Sequence, residues 1–264
     1  MSTVTSADGT AIDFDAYGTG PTVILIGGAS QHRAIDPRTT QIAKDLAVAG
    51  FTAVDYDRRG RGRSGDTQPW SLDREVEDVA ALMKTAGGPA ALYTSSSGAG
   101  IALAAVDAGL EVSALALYEP PYFAGSDSSK HIALLREMLE AGRLDEATRY
   151  NMTAIIGLPT EAVDEMAQAP WWPGLVAVAP TLVYDHAASH DIETDPDWRK
   201  RWAGVTVPTL VLSGDQTFPG LPEAADAVAD ALPNAQRRVL PGQDHGPASA
   251  AVVPELVAFL RRAL

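Results

Sequence analysis

Five residues, TVILI at Thr22–Ile26, run on without the polar/apolar alternation of a half-exposed strand. Such a strand is buried on both faces, as strands inside a parallel sheet are. Helices and further strands alternate after it. Strands are expected at residues 51–55, 90–93 and 112–118. A helix is expected at 38–49, with Ile42, Leu46 and Ala49 on one face and Gly50 as its C′ residue. A second runs from an N-cap at Ser71 to about residue 86; its apolar stripe is Val76, Val79, Ala80 and Met83, and Gly87-Gly88 stop it. A third covers 97–108. This alternation predicts a mostly parallel sheet with helices on both faces. Two short strands, 3–6 and 11–16, precede it around an Asp8-Gly9 turn.

The pattern breaks at Pro120-Pro121. From there to about residue 195 the chain reads as helices, cut short by Pro159, Pro170, Pro173 and Pro180. The sheet resumes with TLVLS at 209–213, a helix at 223–232, a strand at 237–240 and a last helix to Arg262. The expected architecture is therefore an eight-stranded α/β core, residues 1–120 and 196–264, with a helical cap, 121–195, inserted after the sixth strand. A chain of 264 residues suits one large domain of this class.

Composition narrows the function. With 20 basic and 34 acidic residues the net charge is −14, which argues against a nucleic-acid partner and against adsorption to anionic membranes. There is no cysteine, so disulfides, thiolate catalysis and cysteine-ligated metal are excluded. The first ten residues carry neither a basic nor an apolar stretch of a signal peptide, and no apolar run approaches about 18 residues. A soluble cytoplasmic protein is expected.

The chemistry concentrates at residues 92–100, LYTSSSGAG, where a buried strand turns into a helix. An exposed nucleophile at such a turn needs small neighbours, and G-x-S-x-G is the usual solution. Ser96 with Gly98 two residues later fits the helix side; Thr94 stands where the first glycine would be. Ser97, flanked by Ser95 and Ala99, is the other candidate, and a plain N-capped turn would also carry serines. A serine needs a base, and histidine suits neutral pH. His245 follows the last strand, where ligands gather in open α/β sheets; His32 could touch substrate, and His131, His186 and His190 lie in the cap. A carboxylate must orient the base. Asp215, after the seventh strand, is the first candidate, and Glu119, directly after the sixth, is a rival; Asp244 is too close to His245 in sequence. For the oxyanion, Gly27-Gly28-Ala29 follows the first buried strand. The Ala29 and Ser97 N–H groups are assigned to that role, with Gly28 facing substrate.

These segments, with residues 56–65 (YDRRGRGRSG), 117–121 (LYEPP), 207–214 (VPTLVLSG) and 242–245 (GQDH), resemble the α/β-hydrolase superfamily, and in particular its small capped bacterial members. They occur in that family's order over nearly the whole chain. The resemblance implies an α/β-hydrolase fold and a chain order of Ser96, acid, His245. It implies that the Arg/Gly-rich loop at 57–65 braces the active-site loops. A phosphate loop is disfavoured, since the terminal Lys-Ser/Thr is missing. The chain departs from the family at three places: Gly27-Gly28 replace His-Gly, Thr94 replaces a glycine, and Asp215 follows Gly214 at once where G-x-x-D is usual, leaving Thr217 at the third place. Some relatives carry the acid where Glu119 stands.

The implied function is a serine hydrolase of a small, uncharged, fairly apolar carboxylic ester or lactone, working through an acyl-enzyme without metal or cofactor. The alternatives are cleavage of a C–C or amide bond on the same triad, and a non-hydrolytic binder or cofactor-free cyclase. Trp171 and Trp172, with Met152, Met166 and Tyr184, either line an apolar pocket or form the cap's own core. The protein is expected to act as a monomer or homodimer on a small molecule.

Overall fold

The computed structural model describes residues 2–123 and 128–264. The chain opens with β1 (Ser2–Thr5), β2 (Ala11–Tyr17), β3 (Thr22–Ile26), α1 (Pro37–Val48), β4 (Thr52–Tyr56), α2 (Leu72–Thr85), β5 (Ala90–Ser95), α3 (Gly98–Asp107) and β6 (Val112–Tyr118). Among the described residues six α-helices follow: α4 (Ser129–Glu140), α5 (Leu144–Tyr150), α6 (Thr160–Met166), α7 (Trp172–Ala177), α8 (Leu182–Thr194) and α9 (Trp198–Trp202), with a π-helical turn at Asn151–Ile155 and a 3-10 turn at Ala179–Thr181. The chain then returns to the sheet with β7 (Thr209–Gly214), α10 (Leu221–Ala231), β8 (Ala235–Leu240) and α11 (Ser249–Ala263).

The eight strands make one sheet in the order β1-β2-β4-β3-β5-β6-β7-β8. β1 and β2 pair antiparallel, as does β2 with β4, and every later pair is parallel. This is the expected eight-stranded, mostly parallel α/β-hydrolase sheet. The continuous apolar runs divide themselves between its faces, because successive side chains point to opposite sides. Ile24, Ile26, Leu92, Leu115, Leu117 and Val211 pack with Val79 and Leu82 of α2, Ile101 of α3 and Val228 of α10. Val23, Leu25, Tyr93, Tyr118, Leu210 and Leu212 pack with Ile42 and Leu46 of α1 and Leu256 and Phe259 of α11. Ser71 caps α2, accepting from the Arg74 N–H.

The inserted helices have a small core of their own in Leu135, Ala147, Ala179 and Leu182. The end of the insertion leans on the sheet instead: Ile192, Trp198 and Trp202 join the first of the two sheet clusters, beside Tyr122. Among the described residues no helix is long and apolar enough to cross a membrane.

One buried charge in the sheet makes stability depend on pH. Asp55 of β4 is 3% exposed and accepts a 2.7 Å hydrogen bond from the Thr40 hydroxyl. Burial pushes its carboxyl up to about 7, against the opposing effects of that hydroxyl and of Arg33. The folded chain thus binds this proton more tightly than the unfolded one. The stability it contributes is present at low pH and lost as pH rises from the ordinary carboxylate value of 3.8 through about 7. Asp55→Asn keeps the partner hydroxyl and removes the charge. Its thermal midpoint is expected to exceed the parent's by roughly 5 °C at pH 8, with the gain fading towards pH 4. An equal difference at both pH values would show that Asp55 is charged throughout.

Candidate active site

The turn between β5 and α3 places Ser96 at φ +52°, a left-handed conformation unusual for a side chain with a Cβ. Its N–H donates to the Tyr118 carbonyl at 2.9 Å, and its carbonyl accepts from the Ala99 N–H at 3.0 Å. The small neighbours are required on two sides. A Cβ on Gly98 would stand 2.6 Å from the Ile26 carbonyl oxygen, and one on Gly28 would stand 2.9 Å from the Ser96 Cβ. Thr94 meets no such demand. It sits inside β5, fully buried, in register with Ile26 on one side and Leu117 on the other. The glycine is needed where backbones converge, after the serine, and a threonine can stand before it.

The two candidate serines have different environments. Ser97 is buried, and its hydroxyl donates to Asp185 Oδ1 at 2.8 Å. Ser96 is half-buried, and among the described residues its hydroxyl has no protein partner.

A second strained turn lies one strand over. Glu119 follows β6 at φ +49°, and its N–H donates to the Leu212 carbonyl at 2.8 Å, as Ser96 bonds to Tyr118. The Glu119 side chain is fully buried. Its Oε1 accepts from the Gly214 N–H at 2.8 Å, and its Oε2 from the Thr217 hydroxyl at 2.7 Å. The same Oε2 lies 2.5 Å from His245 Nδ1. The sequence left two carboxylates open for this histidine, and the structure puts Glu119 on it and Asp215 elsewhere. Asp215 is exposed and accepts from the Gly242 N–H at 2.6 Å. The physical reason is strand position: the tip of β6 adjoins the elbow, whereas Asp215 starts the loop beyond β7 and turns to close the loop after β8. Asp244 is exposed too, accepting from the Gly246 N–H at 2.8 Å.

The loop bearing His245 is anchored from several directions. Tyr118 donates its hydroxyl proton to the Asp244 carbonyl, and Arg38 donates to the Gly246 carbonyl at 2.9 Å. The Phe218 ring packs on His245 with centroids 5.5 Å apart. Sequence reasoning passed over Thr217 as a functional residue. Its signal was present: it occupies the place where the family's acid often falls, and its hydroxyl here supports the acid that comes from β6.

The loop after β3 is clamped peptide by peptide. The Gly27 carbonyl accepts from Arg58 Nη1 at 3.2 Å, and the Gly28 N–H donates to the Gln31 side-chain oxygen. The Gly28 carbonyl accepts from Arg61 Nη1 at 2.6 Å. That leaves the Ala29 N–H, which with the Ser97 N–H has no protein acceptor among the described residues.

Both arginines belong to the Arg/Gly-rich loop, and both are fully buried. Arg58 forks onto Glu75 at 2.7 and 3.1 Å and reaches Asp185 Oδ1 at 2.7 Å. Arg61 reaches Asp185 Oδ2 at 2.6 Å and the Thr181 hydroxyl at 3.0 Å. Burial pushes the Asp185 carboxyl up, but Arg61 and Arg58, with the Ser97 hydroxyl, outweigh it and hold it below its usual range. Arg59 is committed likewise, to Asp78 at 2.7 and 2.8 Å and to Asp8 at 2.9 Å. With every guanidinium of this stretch but Arg63 buried against carboxylates, the loop braces its neighbours and presents no phosphate cradle.

The aromatic residues considered for the pocket find packing partners, Trp171 and Trp172 within the insertion and Tyr184 across to the core. Trp172 is buried, donates from Nε1 to Asp145 at 2.7 Å and lies under Arg149. Trp171 is 44% exposed, with its ring 6.3 Å from that of Trp172. Tyr184 bonds to Asp66 at 2.7 Å and stacks on Trp70, tying α8 to the 66–70 loop. Packing partners, more than an apolar lining, account for these residues.

Comparison with known proteins agrees with this fold. The profile of the family described as serine aminopeptidase, S33, matches residues 20–248. An α/β hydrolase from Sphaerobacter thermophilus is 44% identical, with a TM-score of 0.88 over 98% of this chain and all of the other. A bromoperoxidase from Bacillus anthracis is 21% identical, with a TM-score of 0.71 over 98% of this chain and all of that one. A thermophilic esterase from Thermogutta terrifontis is 21% identical, with a TM-score of 0.67 over 99% and 96% of the two chains. The last two share the fold. The chain belongs to the α/β-hydrolase superfamily, in the serine aminopeptidase S33 family.

Proposed function

We propose that this α/β hydrolase cleaves a small, fairly apolar carboxylic ester or lactone through a serine-bound acyl intermediate. The observation that carries the reading is the buried Glu119 on His245 Nδ1, one strand from a serine held at positive φ. A carboxylate accepts only, so Nδ1 carries the proton and Nε2 is left free to accept one. His245 then takes the Ser96 proton as the hydroxyl oxygen attacks the carbonyl, and Glu119 stabilises the imidazolium. The Ala29 and Ser97 N–H groups bind the developing oxyanion. Collapse returns the proton to the leaving alkoxide. Water, activated by the same histidine, then releases the acid and restores Ser96.

The family's description keeps an amide bond as the second reading. One experiment addresses both. The protein is treated with a fluorophosphonate probe, its intact mass is read, and the modified peptide is mapped. A panel of short-acyl nitrophenyl esters, lactones and aminoacyl anilides is then assayed. A single adduct on Ser96 with ester or lactone turnover is the expected result. Turnover of the anilides alone would move the substrate class to amides. An adduct on another serine, or none on folded protein, would overturn the mechanism.

A further inference from the structure

The two N–H groups proposed for the oxyanion lie on different loops, and one carboxylate bonds to the Ser97 hydroxyl beside one of them and, through Arg61, to the Gly28 carbonyl beside the other. We propose that Asp185, carried by α8 of the insertion, is a positioning residue that sets the oxyanion hole. The inference rests on the serine-hydrolase reading above.

One arm runs through Arg61. Asp185 Oδ2 holds Nη2 of that guanidinium at 2.6 Å, and its Nη1 donates to the Gly28 carbonyl at 2.6 Å. The Gly28–Ala29 peptide is trans, so its carbonyl and the Ala29 N–H point in opposite directions. Fixing the carbonyl therefore aims the N–H. A charged donor on the oxygen also polarises the peptide and makes that N–H a better donor. The preceding peptide is fixed at both ends, by Arg58 on the Gly27 carbonyl and by Gln31 on the Gly28 N–H, so the loop has little freedom to turn.

The other arm is direct. Asp185 Oδ1 accepts from the Ser97 hydroxyl at 2.8 Å, which pins the residue whose N–H is the second donor. The same Oδ1 accepts from Arg58 Nη1 at 2.7 Å. The hub is buried on every side: Asp185 is 2% exposed, Arg58 and Arg61 at most 1%, and Ser97 5%. Two guanidiniums face two carboxylates, Asp185 and Glu75, so the cluster is balanced only when α8 is seated. The insertion thus completes the scaffold on which the oxyanion donors are aimed.

Asp185→Asn separates this role from plain stability. The asparagine oxygen still accepts from Ser97, but its amide meets the Arg61 donor with a second donor and pushes the guanidinium off the Gly28 carbonyl. Asp78→Asn is the control: it breaks an equally buried pair, with Arg59, that touches neither donor loop. Both variants are expected to lose thermal stability. Asp185→Asn is expected to lower kcat for a nitrophenyl ester by about a hundredfold, the usual cost of one oxyanion donor. KM should stay within about threefold, because the contact strengthens in the transition state. The fluorophosphonate labelling rate should fall in parallel, since the phosphonyl oxygen uses the same donors. Asp78→Asn should keep kcat within about threefold. If Asp185→Asn does not fold, Ser97→Ala removes only the hydroxyl arm and keeps the N–H; about a tenfold loss of labelling rate is expected. Labelling and kcat at the parent level in Asp185→Asn, or in Ser97→Ala where that variant alone folds, would overturn the inference while leaving the serine reading intact. A parent protein that takes no label would overturn that reading first, and the inference with it.

Discussion

Ser96→Ala is expected to lower ester turnover by about 10^4- to 10^6-fold, the loss seen when a serine nucleophile is removed from a working triad. The fold should survive, because alanine keeps the Cβ at φ +52° and the backbone bonds to Tyr118 and from Ala99 do not involve the hydroxyl. Ser96→Gly tests the same position from the other side. Glycine reaches this region without steric cost, whereas a residue with a Cβ costs about 1 kcal/mol there. The glycine variant should be as inactive as the alanine one and melt about 2–4 °C higher than the parent. A gain in stability with loss of activity is what is expected where strain is held for function. A thermal scan and an ester assay on the two variants decide it; wild-type turnover in Ser96→Ala would remove the serine from the mechanism.

The positions of strain cluster in one region. Among the described residues, the non-glycine residues with positive φ are Ser30, Ser96 and Glu119, at 60°, 52° and 49°. They lie just past β3, β5 and β6, neighbours in the sheet. Each loop leaving this edge bends sharply before its polypeptide turns away. The proposed nucleophile, the carboxylate on His245 and the loop proposed for the oxyanion thereby lie together at the carboxyl ends of the parallel strands, where open α/β sheets bind their ligands.

Much of this was legible in the residues themselves. Runs such as TVILI report burial on two faces, and the packing of Ile24 and Ile26 on one side against Val23 and Leu25 on the other is that burial. Ser96 and His245 could be singled out as candidates because a buried strand, a serine and two small residues, then a late histidine after the last strand, are local or ordered signals. Which carboxylate lies on His245 was not readable, because Glu119 and Asp215 each follow a buried strand directly. Only the pairing of β6 between β5 and β7 decides between them, and pairing is a long-range property. Asp185 was less legible still. It is one acidic residue in a helix of the insertion, and the hydroxyl it holds is 88 positions away. Nothing local marks an aspartate in the first turn of a helix as buried, since acidic residues are common there on exposed helices too; its burial follows only once Arg58 and Arg61 are brought beside it. Trp171 and Trp172 stood between a pocket and the cap's own core, because adjacent tryptophans suit either; the contacts of Trp172 are with Asp145 and Arg149.

Glu119→Gln is expected to lower turnover by about 10^3- to 10^4-fold, in line with the loss when a triad acid becomes its amide. The hydrogen bonds around Glu119 dictate how the amide must lie. At the Oε1 position the partner is the Gly214 N–H, a donor that cannot change role. An amide nitrogen placed there would leave two donors facing each other in a fully buried site. The glutamine oxygen must therefore take that place, and its NH2 group must occupy the Oε2 position. There the Thr217 hydroxyl can rotate to accept, and His245 Nδ1 is forced to accept as well. The proton of the imidazole moves to Nε2, the atom that has to receive the Ser96 proton, and general-base catalysis stops. The variant should fold, since every buried polar atom keeps a partner. Asp215→Asn alters an exposed carboxylate that bonds only to the loop after β8, and its turnover should stay within about threefold of the parent. The ratio of the two losses is the measurement. A ratio of a thousand or more assigns the acid to the tip of β6; losses within about threefold for both variants would mean that neither carboxylate orients the base, and the arrangement around His245 would need another chemistry to explain it.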